Sequence, residues 1–126
     1  MTRVAVTVGS PGLDVEVEPK FGRAPFIVLV DPETMAWESL ANPGWDARGG
    51  AGVRVAQVLN DHRVSDAVSG DFGPNAEDAL EAAGIAMHRC GSGTTARKAV
   101  DLLKAGDLPE SWPTPRRGRG RRRDRR

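Results

Sequence analysis

The chain contains a single cysteine, Cys90, so no disulfide can form within it. No apolar run approaches the roughly 18 residues that a membrane-spanning helix needs. A secretory leader is not expected either, because Arg3 is followed only by the short apolar stretch Val4 to Val8. These absences point to a reducing cytoplasm and to no membrane association. Nucleotide signatures are missing as well. Nothing matches G-x-x-x-x-G-K-[ST], and Gly91-Ser92-Gly93 is too short for a dinucleotide fingerprint, so neither ATP nor NAD is expected.

The charge is not spread evenly. The net value of +1 combines a segment from Arg116 to Arg126, with eight arginines and one aspartate, and a remainder with ten Lys/Arg against sixteen Asp/Glu. The segment carries +7 and the rest −6. A charged block without apolar residues has nothing to bury, which predicts disorder and no contribution to stability. Pro109, Pro113 and Pro115 flank Trp112 just before it. The expected organisation is a domain over residues 1–108, a Pro-rich linker over 109–115 and an Arg-rich tail over 116–126.

Within the domain, Val4 to Val8 reads as a strand stopped by Gly9-Ser10-Pro11-Gly12. Phe26 to Val30 is continuously apolar, as a strand covered on both faces should be. The polar link at Asp31 to Thr34 leads to a third strand over Met35 to Leu40, an antiparallel hairpin with the second. Helical spacing follows at Gly52, Val55, Ala56 and Leu59, then at Ala76, Ala79, Leu80 and Ala83, then at Ala96, Ala99, Val100 and Leu103. Pro74 suits a first helical turn, and Thr94 is the expected N-cap of the last helix. Short apolar pieces, Asp66 to Ser69 and Ile85 to Met87, separate the helices. The order β-β-β-α-β-α-β-α predicts an α/β fold of ribonuclease H-like type, with a five-stranded mixed sheet and three helices.

Ligands of such sheets gather beyond the carboxyl ends of parallel strands. Here these are the loops Gly9–Gly12, Gly70–Gly73 and Arg89–Gly93, joined by Gly49 to Gly52 at the first helix. Glycine-bearing loops that run into helix N-termini favour anions. A two-metal nuclease would need a carboxylate on the first strand, and Val4 to Val8 has none. Ser10, Ser69 and Cys90 have no visible His–acid partner, so no enzyme is expected. His88 and Cys90, two apart on one strand face, are the candidate metal ligands, and His62 at a helix end reads as structural.

Phe21-Gly-Arg-Ala-Pro-Phe-Ile-Val-Leu-Val-Asp31 resembles the FGxAxxFxxxD segment of the dinitrogenase iron–molybdenum cofactor biosynthesis family. Asn42-Pro43, Gly50-Ala51-Gly52, Gly70 to Ala76, Ala83-Gly84-Ile85, Gly93-Thr94 and Gly106-Asp107-Leu108 follow in the family's order. The resemblance implies a ribonuclease H-like fold and an accessory carrier for an iron–molybdenum or iron–sulfur type cluster, with a cofactor-assembly or delivery protein as partner. The candidate cofactor-binding residues are Lys20, Phe21, Gly22, Arg23, Gly50, Gly73 and Asn75, with positive charge from Lys20 and Arg23 and N–H donors from the helix N-termini near Gly50 and Asn75. The family's carriers have a histidine before Phe-Gly, where this chain has Lys20, a cation rather than a ligand. The competing expectation is an interaction module that binds no metal, whose tail engages nucleic acid or acidic proteins by charge. No aromatic is interleaved in Arg116–Arg126, so such binding would be nonspecific.

Overall fold

The computed structural model describes residues 3–42 and 51–108. The strands are β1 (Arg3–Val8), β2 (Phe26–Val30), β3 (Trp37–Ala41), β4 (Val64–Ser69) and β5 (Ala86–Arg89), and the helices are α1 (Ala51–Asp61), α2 (Pro74–Ala82) and α3 (Ala96–Lys104). They form one mixed sheet of five strands in the order β3-β2-β1-β4-β5. β2 lies antiparallel to β1, with Val6 opposite Val28, and β3 lies antiparallel to β2. β4 runs parallel to β1 and β5 parallel to β4, as helical crossovers require.

The alternation of side chains along each strand divides the core in two. Ala5, Ile27, Leu29, Ala67 and Met87 pack on one face with Val55 and Leu59 of α1 and Leu80 of α2. Val4, Val6, Val8, Val28, Val30 and Val68 pack on the other with Ala96, Ala99 and Val100 of α3. Burial of β1 and β2 on both faces explains their unbroken apolar sequence. Each fully buried Val, Leu or Ile here contributes about 1.5–3 kcal/mol relative to exposure.

Two local expectations are corrected. β3 begins at Trp37 rather than Met35 because the preceding turn is longer. Asp31 Oδ1 accepts the N–H groups of Glu33 and Thr34, Met35 takes a left-handed φ of 66°, and only then does Ala36 return its carbonyl to the Asp31 N–H. The N-cap of α3 is Thr95, not Thr94. Its hydroxyl accepts the Lys98 N–H at 3.2 Å, while the Thr94 carbonyl is already taken by the Val17 N–H.

The segment between β1 and β2 folds back as a strap over the carboxyl end of the sheet. Val17 pairs with Val8, and the Glu18 N–H donates to the Thr7 carbonyl. The Gly70 N–H donates to the Glu18 carbonyl, and the buried hydroxyls of Thr7 and Ser69 meet at 3.0 Å beneath it. The strap carries Lys20 and Phe21 to the start of the loop after β4.

Candidate functional site

The strap and the loop after β4 meet through two backbone links. Lys20 bridges Asp71 as a parallel neighbour, and the Phe21 N–H donates to the Asp71 carbonyl at 3.0 Å. A single 3-10 turn, Phe21–Arg23, follows. Phe21 is 1% exposed and stacks on Phe72 with ring centroids 5.2 Å apart, so it anchors the turn and has little surface to offer a ligand. Its carbonyl accepts the Asn42 side-chain amide at 3.1 Å. With Phe21 buried, the turn leaves Lys20 and Arg23 exposed on either side.

Gly73 is the N-cap of α2, with Pro74 at the first helical position and no side-chain cap. The first N–H groups of a helix have no intrahelical partner, so the Asn75 end of α2 presents unpaired donors and the positive end of its dipole. An added Cβ would meet nothing within 4 Å at Gly22 or at Gly73, and neither has a positive φ. Turn geometry therefore does not demand glycine at these two positions. Gly70 differs. A Cβ there would lie 2.7 Å from the Pro19 Cα and 2.8 Å from its carbonyl oxygen, so this glycine is needed for the strap to close.

One cation at this edge was not singled out from the sequence. Arg89, the last residue of β5, donates from Nε and Nη2 to Asp71 Oδ1 at 3.0 and 2.8 Å, and its Nη2 lies 3.6 Å from Glu77 Oε2 on α2. Glu77 is 6% exposed, so its carboxylate is placed against Arg89 away from bulk water. The hydrogen bond from Arg89 holds the Asp71 carboxyl below the usual carboxylate range, against the opposing effect of burial and with help from the Phe72 N–H and the charges of Arg89 and Lys20. Position at the carboxyl end of a parallel strand was the signal available in the sequence.

His88 and Cys90 occupy the other face. Val68, the ladder partner of His88, and Cys90 both belong to the cluster packed on α3, whereas Met87 belongs to the α1–α2 cluster. The two candidate ligands do share a strand face, but they do not join Lys20, Arg23 and α2. His88 is 6% exposed, and its Nε2 meets Asp66 Oδ2 at 2.9 Å. Its buried Nδ1 has no hydrogen-bond partner among the described residues. Burial pushes the half-buried Cys90 thiol up, which disfavours the thiolate that a metal would need. Among the described residues no three His, Cys, Asp or Glu side chains converge to hold a metal ion. Gly50 lies outside the described residues, as do the linker and the tail. This donor set does not fit a cluster fixed by several protein ligands. Exposed cations beside unpaired N–H groups do fit an anionic group held by charge and hydrogen bonds.

The fold and much of the sequence recur in solved structures. The apo form of the orange protein from Desulfovibrio gigas is 42% identical, with a TM-score of 0.82 over 88% of this chain and 93% of that one. A Thermotoga protein described as a NifB candidate of the DUF35 family is 31% identical, with a TM-score of 0.77 over 90% of this chain and 98% of that one. No curated protein matches. No helix among the described residues is long and apolar enough to cross a membrane. The model of one family matches residues 2–106, and the chain belongs to that family, dinitrogenase iron–molybdenum cofactor.

Proposed function

We propose that this chain is a non-enzymatic accessory protein that carries an anionic metal–sulfur group, of iron–molybdenum or iron–sulfur type, at the carboxyl edge of its sheet. The observation that carries the reading is the open ground at Gly22 and Gly73, where an added Cβ would meet nothing within 4 Å. That ground lies between Lys20, Arg23 and the uncapped start of α2. Lys20 and Arg23 would supply positive charge to the cargo, and the N–H groups near Asn75 would donate to its sulfides or oxygens. Gly50 would complete the edge from the first helix. Phe21 and Asp71 position this frame without touching the cargo. A metal contact from His88 or Cys90 would come from the opposite face and would require the Cys90 thiol to lose its proton.

Family membership and the two structural neighbours support a cofactor-associated role, and a cofactor-assembly or delivery protein in the cytoplasm is the corresponding partner. We also read the strand order as ribonuclease H-like, on topology alone. The second reading, an interaction module that binds no metal, rests on the +7 of Arg116–Arg126. The test is anaerobic incubation with iron, sulfide and molybdate, followed by gel filtration and metal analysis. Retention of metal that weakens in Lys20→Ala and Arg23→Ala supports the carrier. Protein that emerges without iron or molybdenum overturns it and leaves the interaction module in the lead.

A further inference from the structure

At the opposite end of the sheet from this edge lies a groove of about 250 Å³, lined by Arg3, Leu29, Asp31, Ala36, Trp37 and Glu38. Trp37 is 44% exposed, one of two large apolar side chains so exposed among the described residues. Asp31 uses Oδ1 to hold the turn that precedes β3, and its Oδ2 has no partner among the described residues. Glu38 is paired with Arg3, which leaves the groove one carboxylate in excess. Trp37 and Asp31 both line the groove, and an exposed indole and a carboxylate oxygen without a partner are groups that suit a guanidinium, which can stack on a ring or donate to an acid.

We propose that the arginines of residues 116–126 dock into this groove on the same molecule. Charge supports this occupant, since the segment carries +7 against −6 for the rest of the chain. Reach supports it as well. α3 starts beside Leu13 and Val15, at the carboxyl end of β1, through the Ala96 and Arg97 N–H groups. Leu108, where the described chain stops, is buried in the cluster packed on α3, which runs from Val4 and Val30 at the groove's end of the sheet to Val8 and Leu13 at the other. Residues 109–115 span at most about 25 Å when extended, more than the roughly 20 Å length of a six-residue strand of this sheet, and this sets the reach of Arg116 from Leu108. Composition alone predicts a tail that adds nothing to stability. A docked tail acts instead as an internal counter-charge, and an external polyanion has to displace it.

The test compares the full chain with one ending at Pro115, by thermal unfolding at low salt and at about 1 M salt, where the Debye length falls to roughly 3 Å. Trp37→Ala and Asp31→Asn are made in both backgrounds, and asparagine keeps the oxygen that the turn needs. At low salt the full chain should melt roughly 3–5 °C higher than the truncated one. High salt should abolish the difference, and so should either substitution. Equal melting temperatures at low salt overturn the proposal. A tail effect that survives both substitutions places the tail elsewhere and also overturns it. A doubled mass in sedimentation, lost on truncation, shows that the occupant is the tail of a second copy and overturns docking within one molecule. Metal retention plays no part in these readouts, so their outcome is separate from that of the carrier reading.

Discussion

Replacing Gly70 with alanine tests whether the strap truly sets the candidate site. The new Cβ would sit 2.7, 2.8 and 3.1 Å from the Cα, carbonyl oxygen and carbonyl carbon of Pro19. These are backbone atoms, so no side chain can rotate away. Relief requires the strap to lift, which would stretch the bond from the Gly70 N–H to the Glu18 carbonyl and the Phe21–Asp71 link next to it. Gly70 has no positive φ, so the cost is steric overpacking alone, about 1–3 kcal/mol. At roughly 4–6 °C per kcal/mol for a domain of this size, the melting temperature should fall by about 10 °C. Circular dichroism would follow the melt, and metal retention would follow Lys20, which moves with the strap. Gly22→Ala and Gly73→Ala are the matched controls. Both meet open space, so Gly22→Ala should hold or raise stability by up to about 1 kcal/mol, while Gly73→Ala, at an N-cap that favours glycine over alanine, should lower it by no more than about 1 kcal/mol. Yet both should impair retention, because they fill the ground assigned to the cargo. A Gly70→Ala protein that melts within about 2 °C of the parent would refute the close approach and the positioning argument built on it.

Other consequences can be measured on the same protein. Asp71→Asn removes the charge that engages Arg89 and lies beside Lys20, so anion retention at this edge should rise severalfold in the anaerobic assay while the fold persists. Phe21→Ala deletes a ring buried against Phe72 and should cost about 3–5 kcal/mol in denaturant unfolding. Thr95→Ala removes the side-chain cap of α3 and should cost about 1 kcal/mol by the same measurement. Burial pushes the Asp66 carboxyl upward, but the hydrogen bonds of His88 and Ser65 and the charge of His88 outweigh it and leave the group below its usual 3.8. A depressed folded value means that stability is present above pH 3.8 and lost as the pH falls through the folded value. Asp66→Asn should therefore flatten the acid limb of the stability curve below about pH 4, and an unchanged limb would show that the pair is not coupled to folding.

The parts of this fold that local chemistry decides are legible in the residues. The unbroken apolar β2 and the helical spacing of α2 and α3 place five strands and three helices in order, and helical crossovers make β4 and β5 parallel. The errors arise where a side-chain turn or distant backbone takes over. Asp31 caps its own turn and delays β3, and Val17, far away in sequence, takes the Thr94 carbonyl and passes the cap of α3 to Thr95. The candidate site divides in the same way. Lys20, Gly22, Arg23, Gly73 and Asn75 come from two loops whose adjacency depends on the strap, and a resemblance could point to them one by one. No local pattern shows that Arg89 is clamped by Asp71 and Glu77, because that contact needs the ends of β4 and β5 and the start of α2 together. Strand periodicity puts His88 and Cys90 on one face, but it cannot tell which of the two cores they enter. That choice separates them from Lys20.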